Sequence, residues 1–294
     1  MLRKILVPLD GSEIGELALV YAKELASAID LEVQVVCATE HRDEQTLSTC
    51  SLYLDKVAEQ LRTQIHKVNP KSEVKTIIVE GEPARELVDY TQKEDINLII
   101  MMSHGRSGIM PWTMGSIANK IIQNSQAPVL MVRAAQAVSR QRPARVFKKI
   151  LLPLDGSSFG ESALDLIITI ARALKSEVIL LFVVETVQYV HTIGGPDHFL
   201  YSEQQVEKMK RDAMQYLEKI RKQFGVRRVR LMLRTGEPAR EIIKLSNEEK
   251  ISIVAMSSHG KTGITRWMMG STSNKILHAG KTPLLLVRPR QVQG

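Results

Sequence analysis

Short aliphatic runs alternate with longer amphipathic stretches along the chain, and they do so in the same order twice. In the first half, apolar runs without clean in-out alternation fall near Lys4–Leu9, Glu32–Ala38, Glu73–Val79, Asn97–Met102 and Pro128–Arg133. Helical periodicity marks Glu13–Ile29, Glu44–Val68, Pro83–Lys93 and Ser116–Asn124 between them. The second half predicts strands near Lys149–Leu154, Glu177–Val184, Arg227–Arg234, Ile251–Ser257 and Pro283–Arg288. Strands that are apolar on both faces and separated by helices imply a parallel sheet covered on both sides.

The repetition is literal at several points. Ile5–Ser12 (ILVPLDGS) returns as Ile150–Ser157 (ILLPLDGS), and Gly81–Glu86 (GEPARE) returns unchanged as Gly236–Glu241. Ser103-His104-Gly105 matches Ser258-His259-Gly260, Gly115-Ser116 matches Gly270-Ser271, and Pro128–Arg133 (PVLMVR) matches Pro283–Arg288 (PLLLVR). One repeat on this scale is a domain duplication and not a solenoid. The expected fold is α/β: two tandem Rossmann-like domains, residues 1–138 and 146–294, each a five-stranded parallel sheet in the order 3-2-1-4-5 with helices on both faces. Matched residues lie 145 apart at Asp10 and Asp155 but 155 apart at Gly81 and Gly236, so the second half carries ten extra residues. They fall around Tyr189–Tyr201, where Gly194-Gly195-Pro196 predicts a loop before a helix over Ser202–Phe224. A polar linker, Ala135–Arg145, joins the domains.

A chain of 294 residues with 44% hydrophobic and 24% charged residues gives each domain enough material for its own core. Cys37 and Cys50 are its only cysteines, so no repeated disulfide framework is expected and a reducing cytoplasm is the simplest compartment. The N-terminus runs directly into the first strand, and the apolar stretch Leu164–Leu174 is short and broken by Asp165 and Arg172, so neither a signal segment nor a membrane span is expected. The net charge of +8 favours anionic partners. Much of it sits in Arg140–Lys149 and at Arg227, Arg228, Arg230 and Arg234, which read as a solvated linker and a solvated strand edge. Aromatic residues make up 4% and do not interleave with these charges, so specific nucleic-acid binding is not expected.

A doubly wound sheet binds ligands outside the carboxyl ends of its strands, where the strand order reverses. In the order 3-2-1-4-5 that point lies between strands one and four. Strand one ends in Pro8-Leu9-Asp10-Gly11-Ser12, and strand four ends in Ser103-His104-Gly105, followed by a loop to Gly115-Ser116 at a helix start. A carboxylate accepts hydrogen bonds from a ribose hydroxyl or an adenine amine, while glycine amides and a serine hydroxyl at a helix N-terminus suit a phosphate. Together they describe a nucleotide cradle.

On these residues, both halves resemble the universal stress protein family in its tandem form. Nucleotide-binding members carry a glycine, two residues, a second glycine, nine residues, then Gly-Ser or Gly-Thr. Gly105 with Gly115-Ser116 and Gly260 with Gly270-Ser271 fit the later part, and Met102 and Ser257 replace the first glycine. The resemblance implies binding of ATP, ADP or AMP, with Mg²⁺ only as a companion of the phosphates. It puts Asp10 and Asp155 near adenine and ribose, Pro8 and Pro153 at the adenine pocket, and the backbone of Ala38 and Val183 against the adenine. It puts Gly105, Gly115, Ser116, Ser257, Gly260, Gly270 and Ser271 at the ribose and phosphates. Ser257 is small; Met102 adds a long side chain where the family's backbone approaches the ribose, so the second site is expected to dominate. The family's last strand mediates dimerisation, which implies an intramolecular pseudo-dimer of the two halves and leaves a further homodimer open.

Each motif also has a plainer reading. Asp10-Gly11-Ser12 is compatible with a strand-to-helix turn capped by Ser12. His104 and His259 read as structural imidazoles, GEPARE as a strand exit with proline at the first helical turn, Arg106 and Lys261 as phosphate partners or solvated cations, and Trp112 and Trp267 as packing groups. Neither catalytic residues nor a metal site are expected, and any hydrolysis should be slow. The competing function is a degenerate scaffold with empty sites that docks an unidentified protein partner. An adenylate-forming enzyme lacks its expected pyrophosphate-loop signature here.

Overall fold

A computed structural model describes residues 2–40, 43–103, 114–133, 145–192, 195–225, 228–260 and 269–289, with backbone alone for 187–192 and 195–200. The first half runs β1 (Lys4–Pro8), α1 (Ala18–Ala26), β2 (Glu32–Thr39), α2 (Glu44–His66), β3 (Glu73–Glu80), α3 (Pro83–Lys93), β4 (Leu98–Met102), α4 (Ser116–Asn124) and β5 (Val129–Val132). The second half runs β6 (Lys149–Leu154), α5 (Leu164–Leu174), β7 (Glu177–Val184), β8 (Val187–Thr192), β9 (Gly195–Leu200), α6 (Glu203–Phe224), β10 (Val229–Thr235), α7 (Pro238–Glu248), β11 (Ile253–Ser257), α8 (Ser271–Ala279) and β12 (Leu284–Val287). Short 3-10 turns, Gly15–Leu17 and Gly160–Ala163, precede α1 and α5. The loop expected around Gly194 is instead flanked by an antiparallel hairpin, β8 against β9. Val187, Tyr189, Val190 and Thr192 are β-branched or aromatic, residue types that favour a strand.

Within each half the strands are parallel in the order 3-2-1-4-5, and the halves join into one ten-stranded sheet, β10-β7-β6-β11-β12-β5-β4-β1-β2-β3. The join is antiparallel: Leu284 lies opposite Met131, Leu285 opposite Leu130 and Leu286 opposite Val129. Both final strands are wholly buried. An apolar strand left at a sheet edge invites pairing, and each of these covers the other.

The arginines that follow the two strands complete the seam. Arg133 donates to the carbonyls of Ile276 (3.2 Å) and Leu277 (2.5 Å) in the last turn of α8. Arg288 donates reciprocally to Ile122 (3.2 Å) and Gln123 near the end of α4. A cation at a helix C-terminus meets carbonyls that have no partner within the helix. Burial lowers the Arg133 pKa to about 10, which leaves it charged at neutral pH. Phe147, just before β6, is buried and meets Tyr21 of α1 edge to face at 5.8 Å, so the start of the second half also packs on the first.

The core has two layers. One joins α1, α2, α5 and α6 to one face of the sheet, and the other joins α3, α4, α7 and α8 to the opposite face. The repeated hexapeptide is architecture: Gly81 and Gly236 have φ of 135° and 143°, and Glu82 and Glu237 cap α3 and α7 by accepting from the Arg85 and Arg240 amides at 2.8 and 2.7 Å. Among the described residues no helix is long and apolar enough to cross a membrane.

Matched ion pairs close the amino-terminal side of each half. Lys4 pairs with Glu94 at 3.6 Å, and Lys75 pairs with Glu32. In the second half Lys149 and Arg230 each lie 3.0 Å from Glu249, and Arg230 also lies 3.1 Å from Glu177. Arg234 pairs with Glu248 at 2.7 Å, so much of the basic run on β10 is neutralised locally.

Hydrogen bonds from Arg230, then Lys149, pull the Glu249 carboxyl down to about 2. A carboxylate with a depressed folded pKa contributes stability above its unfolded value, and that contribution is lost as pH falls through the folded value. The Glu249 contribution is therefore intact above the unfolded glutamate pKa of about 4.3 and disappears toward pH 2. Glu249→Gln is expected to lower Tm at neutral pH and to flatten its fall across this window in thermal melts. A constant Tm difference from pH 7 to pH 2 would refute the assignment.

Candidate functional site

Parallel strands deliver their carboxyl ends to one edge of each half, and there β1 and β6 leave the sheet through the same turn. Asp155 Oδ1 accepts from the Ser157 amide at 2.9 Å and the Ser157 hydroxyl at 2.7 Å, and Ser157 Oγ accepts from Gly160 N at 3.0 Å. Asp10, Ser12 and Gly15 repeat this at 3.0, 2.6 and 3.0 Å. The intervening Gly11 and Gly156 have φ of 79° and 83°, a left-handed conformation that a side chain disfavours. The serine therefore both accepts from the first amide of the 3-10 turn and orients the aspartate. The two functions proposed for this motif are compatible.

The strand-four exit approaches the same carboxylate. A Cβ added to Gly260 would fall 2.6 Å from Asp155 Oδ2, and one added to Gly160 would fall 2.3 Å from Asp155 Oδ1. Glycine at both positions admits the aspartate between them. Ser257, the last residue of β11, is buried and accepts from the His259 amide at 3.2 Å. Ser258 Oγ lies 2.8 Å from His259 Nδ1, which holds the imidazole against its own loop. Gly270, at the start of α8, donates to the Ser258 carbonyl at 2.8 Å, and Ser271 is exposed in the first turn.

Around this center, Pro153 lies half-buried in β6, and Val183 lies half-buried near the end of β7. The first half places Pro8, Asp10, Ala38, Gly115 and Ser116 at matching positions, with Gly115 N donating to Ser103 O at 2.9 Å. Gly105, His104, Arg106, Trp112, Lys261, Trp267 and most of the linker lie outside the described residues. Met102 is buried in the layer that contains Leu9, Cys37 and Leu54.

Two features of the edge are not evident from the repeated motifs. Ser273 Oγ lies 2.9 Å from both the Ser258 and the Gly270 carbonyls, which share its one proton, and so fastens the helix start to the strand exit. The matched residue in the first half is Ala118, which has no hydroxyl. Tyr216 of α6 also donates to Glu161 at 2.9 Å, and Tyr53 of α2 donates to Glu16 at 3.2 Å. Burial, then the neighboring glutamate, pushes both phenols far above their ordinary range, with Asp155 and Asp10 adding to the effect. The glutamates match in the repeat, but the tyrosines come from different turns of their helices, so sequence comparison of the halves does not pair them.

The edge is thus polarised. Carboxylates Asp155 and Glu161 lie on the strand-one side, while the start of α8 is tied to the strand-four exit through Gly270 N and the Ser258 carbonyl. A ligand with hydroxyl or amine donors at one end and an anion at the other fits this donor set. Among the described residues no cluster of three His, Cys, Asp or Glu side chains is placed to hold a metal ion.

Comparison with known proteins places these features in context. The universal stress protein family model matches residues 1–133 and 147–288. A universal stress protein of Methanocaldococcus jannaschii is 30% identical over 143 residues, covering 49% of this chain and 83% of that protein. One from Mycobacterium bovis is 25% identical over 218 residues, covering 74% of this chain and 70% of that protein. The crystal structure of a universal stress protein from Archaeoglobus fulgidus superimposes with a TM-score of 0.69 at 18% identity, covering 97% of this chain and 98% of its own.

The turn itself is testable. A Cβ at Gly156 would meet Phe182 at an ordinary 3.5 Å, so the cost of Gly156→Ala arises mainly from the backbone at φ 83°. An alanine there is expected to cost about 1–2 kcal/mol, read as a lower midpoint in urea denaturation. An unchanged midpoint would contradict the left-handed turn.

Proposed function

The chain belongs to the universal stress protein family in tandem form, and from that premise we propose that it is a regulatory adenine-nucleotide-binding protein whose second half is the principal site. The observation that carries this reading is the approach of Gly260 to Asp155, which brings the strand-one carboxylate and the strand-four exit to one point. Asp155 would accept from ribose or adenine. Val183 would offer backbone to the base beside Pro153, and Ser271 and the first amides of α8 would face the phosphates. ATP, ADP and AMP share this chemistry, and Mg²⁺ would accompany the phosphates without a protein site of its own. The acidic pair Asp155 and Glu161 repels a phosphate chain, which orients the nucleotide with its anionic end toward α8.

The second half is favoured because Ser257 and Ser273 add hydrogen bonds to its loop, where the first half has Met102 and Ala118. These residues bind and position; the reading assigns no nucleophile and general base, so turnover should fall far below the enzyme median of about 10 per second. The seam between β5 and β12 supports an intramolecular pseudo-dimer, since each half covers the other's final strand. The reading assumes a cytoplasmic setting, where adenine nucleotides are abundant.

Calorimetry on two variants tests the assignment. Gly270 and Gly115 occupy the cap positions of α8 and α4 with backbone angles open to any residue, and aspartate is a favoured helix cap. A Cβ at Gly270 would fall 3.3 Å from the Ser258 carbonyl, so Gly270→Asp requires a small shift of the loop; a thermal melt checks that it stays folded, and its carboxylate should repel phosphate. ATP affinity is expected to fall about tenfold or more, near 1.4 kcal/mol, with a much smaller loss in Gly115→Asp. Equal losses would remove the asymmetry. No adenine nucleotide bound by the unmodified chain, and none released on its denaturation, would favour the scaffold reading.

A further inference from the structure

The only two cysteines of the chain come from different elements and meet. Cys37 sits on β2 and is buried; Cys50 sits on α2 and is partly exposed. Their sulfurs lie 3.0 Å apart. Forming a covalent bond of about 2.05 Å would need a closure of about 1 Å, within the reach of side-chain rotation and a small helix shift.

The second half supplies an internal comparison. The residue matched to Cys37 is Phe182, which stacks edge to face on Tyr216 of α6 at 6.2 Å. The same strand-to-helix contact is thus made by ordinary aromatic packing in one half and by two thiols in the other. Packing at this place does not require sulfur.

We propose that Cys37 and Cys50 form an oxidant-responsive dithiol pair, converted by a hydroperoxide into an intramolecular disulfide that ties β2 to α2. Cys50 is the attacking group because it is the more exposed. Its thiolate sulfur attacks one peroxide oxygen, the O–O bond breaks, and the departing hydroxide takes a proton to leave as water, or as an alcohol from an organic peroxide. Cys50 is then a sulfenic acid. The Cys37 thiolate attacks the Cys50 sulfur, the S–O bond breaks, and the hydroxyl leaves as water with a proton. Two thiols are oxidised by two electrons in total, and one peroxide is reduced. Burial of Cys37 beside Cys50 favours this internal closure over capture by a second chain or by more peroxide. The bond would form next to Ala38 and close to Tyr53, so its effect would reach the first half's carboxyl edge and leave the second half untouched. The proposal stands independently of nucleotide binding.

The test uses the full reduced chain treated with hydrogen peroxide, quenched, denatured, labelled with maleimide and analysed by intact mass and unreduced peptide mapping. The expected result is a monomer lighter by two hydrogens, with both maleimide adducts lost together, a linked Cys37–Cys50 peptide, and full recovery of both adducts after dithiothreitol. In Cys37→Ser, dimedone should capture a sulfenic acid at Cys50. A disulfide between chains, conversion of Cys50 to sulfinic acid with Cys37 still labelled, or two intact thiols after treatment would each overturn the proposal. The wild-type measurement decides the question even if the serine variant does not fold.

Discussion

The Asp155 carboxylate, held by the amide and hydroxyl of Ser157, is the fixed point around which the second half's carboxyl edge is built. The hydrogen bonds require the intervening glycine to turn left-handed, and that turn aims the chain into the helix that packs beneath the sheet. They also leave the other carboxylate oxygen beside the exit of β11, where a Cβ on Gly260 would come within 2.6 Å of it. Strand, turn, helix and site are therefore one local solution. Because Asp10 and Ser12 reproduce the bonds to within a few tenths of an ångström, the two halves share that solution despite extensive divergence between them.

Electrostatics divides each half into two functional ends. At the amino-terminal side, lysine and arginine neutralise glutamates on adjacent strands and helices, and the charges are spent on one another. At the carboxyl side, the strand-one carboxylate and the start of α8 both meet the exit of β11 in the second half, so groups of opposite polarity converge on one edge, an arrangement suited to a ligand that carries both donors and anionic charge. The strong net positive charge of the sequence therefore says little about the site. Several of its cations serve the opposite end or the seam.

Most of the architecture was legible in the sequence because continuous apolar runs and repeated glycine turns have few structural interpretations. Pro83–Lys93 and Ser116–Asn124 form the helices expected from their periodicity, and alternating strands and helices imply the parallel pairing seen within each half, though not by themselves the order of the strands. The hairpin β8–β9 was less legible because Gly194, Gly195 and Pro196 carry a loop signal as strong as the strand signal of their neighbours. The meeting of Asp155 with Gly260 and of Gly270 with the strand-four exit was legible from their places at strand ends and a helix start. Ser273 could have been found by asking which residues of α8 differ from α4, but the Tyr216–Glu161 bond depends on helix rotation and length, which residue matching between the halves does not encode.

The seam between β5 and β12 also changes what dilution can do to the molecule. Two separate chains that met through such strands would part as their concentration fell, and any property resting on the joined sheet would vary with abundance. Here a covalent connection makes the encounter intramolecular, with an effective local concentration set by the linker and not by expression level. The ten-stranded sheet, and the reciprocal reach of Arg133 and Arg288 across it, is therefore expected to persist when the protein is scarce. The same pairing uses up the strand edge through which an unfused half could recruit a second copy, leaving β3 and β10 as the sheet's outer strands.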